Sequence, residues 1–209
     1  MNILLTSFSP HRRGACAYAL QYASDKIISL GATPKTLSVT NASGVCLGCG
    51  KCKGGGGCIS DAVNMLSEEI SKSDAVIFAT PTHFGLACAT ALSLLSRVIV
   101  SNKAVLANKP AFSFATARRG GAMGAVSELD RLIAFSGAPL AGGLYPTLLY
   151  GSCEAEIKND SEGLFNLNER IERLIWLTRC IEAGKTAGIT PPEIEPRPKT
   201  DIHSVTKPF

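Results

Sequence analysis

The sequence holds one tryptophan and three histidines, and aromatic residues make up only 6% of its 209 positions. With His203 in the C-terminal tail, no Ser-His-Asp set or metal-hydrolase constellation is recognisable, which disfavours hydrolysis. Long apolar runs are missing too. The stretch 87–100 is broken by Thr90, Ser93, Ser96 and Arg97, so no bilayer span is expected. Residues 1–5 are apolar but have no basic flank and no cleavage-type pattern, which argues against a secretory signal and for a soluble cytoplasmic protein. Net charge is +4 without long basic runs, too little to make nucleic acid or an anionic membrane the expected partner.

What is present reads as globular. Hydrophobic residues are 45% and charged residues 18% of the chain, which suits one α/β domain with a buried core plus a tail. Residues 2–6 read as a strand buried on both faces. A helix over 15–29, ended by Gly31, and a second strand over 35–39 follow. Asp61 is placed as the N-cap of a short helix with Met65, Leu66 and Ile70 on one face. The run 74–79 is the clearest strand, expected to break at Thr80-Pro81 and give way to a helix over 87–100. A fourth strand falls at 110–115, a helix at 122–136 and a fifth strand within 140–150. The last helix spans 166–183, with Leu167, Ile171, Leu174 and Ile175 as its stripe.

This alternation predicts a doubly wound, five-stranded parallel sheet of order 2-1-3-4-5 with helices on both faces. A single domain, 1–184, would carry a cysteine-rich loop at 44–60. The tail, 185–209, contains Pro191, Pro192, Pro196, Pro198 and Pro208 and reads as an extended arm, disordered or lying across a neighbouring subunit.

In such a sheet the loops after strands 1, 3 and 4 open onto one crevice. The first runs Ser7-Phe8-Ser9-Pro10-His11-Arg12-Arg13-Gly14. It has neither G-x-G-x-x-G nor G-K-[ST], so a tightly held dinucleotide and a nucleoside triphosphate are both disfavoured. Hydroxyls at Ser7 and Ser9, charge at His11, Arg12 and Arg13, and close approach at Gly14 suit one phosphate monoester on a helix N-terminus. An ordinary surface β–α turn is the alternative. The second loop is Thr80-Pro81-Thr82-His83-Phe84-Gly85, and the third is Thr116-Ala117-Arg118-Arg119-Gly120-Gly121-Ala122. Together they can border a flat ring; otherwise Pro81 and Gly85 are turn punctuation and His83 a partly buried polar residue.

Eight cysteines are many for such a chain, and four fall in Cys46-x-x-Cys49-x-x-Cys52-x5-Cys58 among closely spaced glycines. Repeated C-x2-C steps place thiolates at the corners of a small iron–sulfur cube. Zinc usually draws two knuckles with a longer connection between them. An iron–sulfur site is the leading reading, with zinc and free or disulfide-bonded thiols as alternatives. Cys16, Cys88, Cys153 and Cys180 read as small packing residues.

Taken together, the Ser7 to Gly14 loop, the cysteine run followed by Asp61, the segment from Asp74 to Gly85 and the Gly-rich loop near Gly120 resemble the NADPH-dependent FMN reductase superfamily. The similarity covers roughly residues 1–150 and is strongest to the iron–sulfur flavoprotein branch. It implies a flavodoxin-like fold, noncovalent FMN, and a homodimer or homotetramer with the flavin near a subunit interface. In that branch the cysteines hold a [4Fe-4S] cluster that exchanges electrons with FMN.

Carried over by position, Ser7, Ser9, His11, Arg13 and Gly14 hold the phosphate. Cys16 stands where relatives often place a hydroxyl for the same group. Pro81, Thr82, His83, Phe84 and Gly85 border the isoalloxazine, with His83 where a tyrosine is frequent. Ala117, Arg118, Arg119, Gly120 and Gly121 close over the ring in a loop more basic than usual, and Cys46, Cys49, Cys52 and Cys58 are the metal ligands. The expected function is electron transfer between FMN and the cluster, with NAD(P)H as a transient donor or a ferredoxin-like redox partner. A cluster-free NAD(P)H-dependent FMN or quinone reductase and a non-enzymatic electron carrier are the alternatives.

Overall fold

The computed structural model describes residues 1–40 and 44–193. Strands β1 (Asn2–Ser7), β2 (Thr33–Ser38) and β3 (Ala75–His83) build the sheet's first half. The two-residue β4 (Leu86–Ala87) folds back on β3, and β5 (Ala111–Ala117) and β6 (Leu148–Tyr150) complete the sheet. The parallel strands run in the order β2-β1-β3-β5-β6, with β4 antiparallel on the end of β3. This is the expected 2-1-3-4-5 path, renumbered by one short strand that the sequence pattern does not announce.

Alternation along each strand sorts side chains to two faces, because successive Cβ atoms point to opposite sides of a sheet. Ile3, Leu5, Ile77, Phe112 and Phe114 pack under α1 (Ala15–Ser29) and the later helices α5 (Glu154–Lys158) and α6 (Ser161–Thr186). Leu4, Val76, Phe78 and Ala115 pack under α2 (Asp61–Ser71), α3 (Ala89–Ser101) and α4 (Ala122–Phe135). The predicted α6 stripe, Leu167, Ile171, Leu174 and Ile175, is buried throughout.

Several boundaries differ from expectation for physical reasons. β3 does not break at Thr80-Pro81: Pro81 pairs with Thr116 on the β5 side, while β1 has already ended opposite Ala79. On that side proline's missing N–H costs no ladder bond. Asp61 is the first helical residue of α2 and Ser60 its N-cap, and an acid in the first turn suits the helix dipole. The buried face of α2 is Val63, Leu66, Ser67 and Ile70, with Met65 exposed. The fifth strand is reduced to β6 plus a single bridge between Ala111 and Leu140. The predicted last helix begins earlier, at Ser161, where Asp160 accepts from the Gly163 N–H as a cap. Cys16 and Cys88 are buried as expected of packing residues, but Cys153 and Cys180 are exposed.

The tail can be followed to residue 193, where Asn108 donates to the Pro192 carbonyl at 3.3 Å. The predicted arm beyond it, with Pro196, Pro198 and Pro208, lies outside the described residues. No helix among the described residues is long and apolar enough to cross a membrane.

Candidate functional site

The crevice at the C-terminal edge of the sheet is built by backbone contacts among the three loops. Phe8 leaves β1 with its N–H on the Ala79 carbonyl at 3.0 Å, and its ring stacks on Phe78 at 6.0 Å. The chain then turns through side-chain-to-backbone bonds: Ser7 Oγ accepts from the Ser9 N–H and Ser9 Oγ from the His11 N–H, each at 3.3 Å. Such local bonds hold a turn open in front of a helix. His11, Arg12 and Arg13 are exposed around it. Gly14 is the N-cap of α1, and a Cβ there would meet the His11 Cβ at 3.0 Å. Among the described residues no side chain caps α1, and no acid occupies its first turn. Its open N–H groups and dipole therefore suit an anion.

Cys16 lies beneath this loop rather than on its open face. It is 1% exposed, and its thiol shares a hydrogen bond of 3.0 Å with Thr116 Oγ1 at the end of β5. Burial pushes its pKa up to about 12, so the neutral thiol is the resident form. Cys88 ties the same region from the other side, its N–H on Thr80 Oγ1 at 3.1 Å and its thiol on the Phe8 carbonyl at 3.5 Å.

The second loop is a two-residue hairpin. Thr82 pairs with Ala87 and His83 with Leu86, leaving Phe84 and Gly85 at the tip with φ of 52° and 85°. Positive φ at both central residues defines a type I′ turn, which suits hairpin twist but ordinarily takes asparagine or glycine first. The Phe84 ring stands 106% exposed at the crevice. His83 is also exposed, not partly buried. Thr82 Oγ1 is buried and finds no partner among the described residues, an arrangement that costs about 1–3 kcal/mol unless something else supplies the bond.

The third loop approaches the hairpin through glycines. A Cβ on Gly121 would stand 2.7 Å from the Gly85 Cα, and one on Gly124 only 2.1 Å from the Gly85 carbonyl oxygen. Glu128, further along α4, accepts the Ala87 N–H at 2.8 Å. Ala117 is buried, while Arg118, Arg119, Gly120 and Gly121 are exposed. Glu156 accepts from the Ser152 N–H and Oγ at 2.6 and 2.7 Å. Those bonds, with the charge of Arg118, hold its carboxyl below the usual range. Gly124, Glu128 and Glu156 were not singled out in the sequence; only the glycine spacing near 120 hinted at the close approach.

The four motif cysteines line one pocket of about 190 Å³, together with Gly48, Gly50 and Arg97. Lys51, Cys52 and Lys53 of its lining belong to a 3-10 turn, Lys51–Gly54, between left-handed Gly50 and Gly55. Asn64 clamps the last cysteine: its Oδ1 accepts the Cys58 N–H at 2.9 Å and its Nδ2 donates to the Cys58 carbonyl at 2.8 Å. Burial works to raise the Cys58 pKa, but backbone bonding at Ser60 and the Arg97 guanidinium outweigh it and hold the thiol below its ordinary value. All four thiols are free, and their soft sulfur chemistry fits iron–sulfur ligation or zinc. Among the described residues, however, no three His, Cys, Asp or Glu side chains are gathered as tightly as a metal would draw them.

A parallel sheet of order β2-β1-β3-β5-β6 with helices on both faces makes this a flavodoxin-like α/β protein. The chain belongs to the NADPH-dependent FMN reductase family, whose model matches residues 1–148, and membership places it among flavin oxidoreductases. A protein named iron-sulfur flavoprotein from Clostridioides difficile is 29% identical over 150 residues, spanning 69% of this chain and 66% of that one, just under two thirds of its length. Another of that name, from Methanocaldococcus jannaschii, is 24% identical over 192 residues, 86% of this chain and 100% of that one. The solved apo structure of the NADH:FMN oxidoreductase EMOB matches with a TM-score of 0.62 at 17% identity, covering 83% of this chain and 87% of that one. At that identity the likeness speaks for the fold.

Proposed function

We propose that the protein binds FMN in the crevice and a [4Fe-4S] cluster in the four-cysteine pocket, and passes electrons between them and an outside redox partner. The observation that carries this reading is that one helix touches both places. α3 starts at the crevice, where Cys88 bonds Thr80 and Phe8. Further along its length Ser93 and Arg97 hold the cysteine loop at Gly44 and Cys58. From Cys88 to Arg97 the rise is about 14 Å at 1.5 Å per residue. The names of the two relatives support the cluster.

In this reading the N–H groups at the start of α1, with Ser7, Ser9, His11, Arg13 and Gly14, hold the phosphate, and Cys16 braces the loop from below. Pro81, Thr82, His83, Phe84 and Gly85 border one side of the ring, and Thr82 Oγ1 gains the partner it lacks. Ala117, Arg118, Arg119, Gly120 and Gly121 close the other side. Cys46, Cys49, Cys52 and Cys58 ligate the cluster. FMN supplies the exchange between electron pairs and single electrons, and the cluster carries single electrons. The chain's own part is to fix positions, exclude water and set the local charge; no side chain is assigned as acid or base. NAD(P)H or a ferredoxin-like protein is the donor class. Exposed Phe84 at the hairpin tip and Tyr150 at the end of β6 support burial of this edge of the sheet in a homodimer or homotetramer.

A cluster-free NAD(P)H-dependent FMN or quinone reductase is the second reading, favoured by the spread of the cysteine side chains. Cys52→Ser separates the two. Anaerobically purified variant protein should lose most of its iron and keep wild-type FMN content; parallel loss of both would contradict separate sites.

A further inference from the structure

Arg97 is a cation in an apolar helix face. It is 4% exposed on α3 beside buried Leu94, Leu95 and Val98. A charged side chain is buried at high cost unless its surroundings answer it. Here the guanidinium reaches the cysteine pocket with two arms: Nη1 donates to the Gly44 carbonyl at 3.1 Å, and Nη2 to Cys58 Sγ at 3.4 Å. Ser93, one turn earlier, donates to the same Gly44 carbonyl at 2.9 Å. Gly44 precedes the motif and Cys58 is its last cysteine, so the one side chain fastens both ends of the loop to α3. Asn64 grips the backbone of Cys58 from α2. Cys58 is thereby held at three points, its N–H, its carbonyl and its sulfur.

We infer that Arg97 is a positioning residue that fixes Cys58 for ligation and raises the reduction potential of the centre its thiolate helps to hold. This rests on the cluster reading above. The planar fork matters because a single side chain must serve two acceptors in fixed directions, which an ammonium does not reproduce. A donor and a positive charge at a ligating sulfur stabilise the more negative, reduced state, so the potential rises. A residue that only closed the loop would alter how much cluster is retained but leave the potential of the retained cluster unchanged.

The test is a potentiometric titration of anaerobically prepared full-length protein, followed by electron paramagnetic resonance, for wild type, Arg97→Gln and Arg97→Lys. Iron and FMN are counted in each sample. At the potential where the wild-type cluster is half reduced, Arg97→Gln should show a reduced-to-oxidised ratio about tenfold lower, equal to ~59 mV for a one-electron couple. Arg97→Lys keeps the charge but loses the fork and should fall between the two, which preserves the test if Arg97→Gln does not fold. The FMN couple should not move. A cluster midpoint equal to wild type in either variant overturns the assignment. Wild-type protein without iron overturns the cluster reading itself and this inference with it, and iron analysis separates that outcome from a failed shift.

Discussion

At the scale of single residues, Phe84 and Cys16 have the most informative surroundings. A phenylalanine with φ of 52° sits where side chains meet their own backbone, at a cost of about 1–2 kcal/mol, and its exposed ring recovers nothing by burial in this chain. Strain kept at a ligand crevice points to use there. Phe84→Gly should therefore stabilise the flavin-free protein by about 1 kcal/mol in urea unfolding, while fluorescence titration shows weaker FMN binding. A variant that is less stable would contradict the strain. Cys16 makes a prediction about pH. Its thiol rises from 9.0 unfolded to about 12 folded, so the native state binds the proton more tightly. The contribution is constant below about pH 9 and is lost as pH climbs toward 12, where the unfolded thiol ionises and the buried one does not. The thermal midpoint should drop over that window, and Cys16→Ser should shrink the drop.

Among secondary-structure elements, the buried Arg170 joins α6, α4 and β5. It pairs with Asp130 at 2.7 Å, donates to the carbonyls of Ser113 and Ala141, and lies over the Phe112 ring at 4.8 Å. Asp130 in turn accepts from the Ser113 N–H and hydroxyl. Arg170→Met should destabilise the protein by about 3 kcal/mol in denaturant unfolding, because Asp130 is left without its counter-charge. None of this is legible in the chain, since the partners are distant in sequence and a lone arginine in a helix reads as a solvated face. The same holds for Arg97, whose partners Gly44 and Cys58 are distant in sequence. Asn64 bonds Cys58 only six residues away, but a polar residue in the first turns of a helix does not announce a clamp. The strands themselves were legible because a parallel sheet covered on both faces demands continuous apolar runs, as in 74–79. The end of β3 was not, because whether proline stops a strand depends on where its neighbour ends. β4 escaped notice because its turn opens on phenylalanine where asparagine or glycine is usual.

At the scale of the whole molecule, sheet order and the convergence of three loops followed from the alternation of elements, and the fold agrees. The cysteine spacing predicts a shared site, and all four cysteines line one pocket, although among the described residues no three ligand side chains are gathered as a metal would draw them. What spacing could not supply is the connection between pocket and crevice. That connection is α3, with Cys88 before its first residue and Ser93 and Arg97 along its length, and it depends on how helices pack across the sheet. The proposed function accordingly rests on two separate places in the fold, the edge of the sheet and the cysteine pocket, joined by one helix.

The most direct test is the composition of anaerobically purified wild-type protein: FMN, iron, sulfide and zinc per chain, with the visible spectrum before and after reduction. The account predicts one FMN with about four irons and four sulfides, and a broad absorbance beneath the flavin bands that bleaches on reduction. Flavin without iron, or zinc in place of iron, would contradict it.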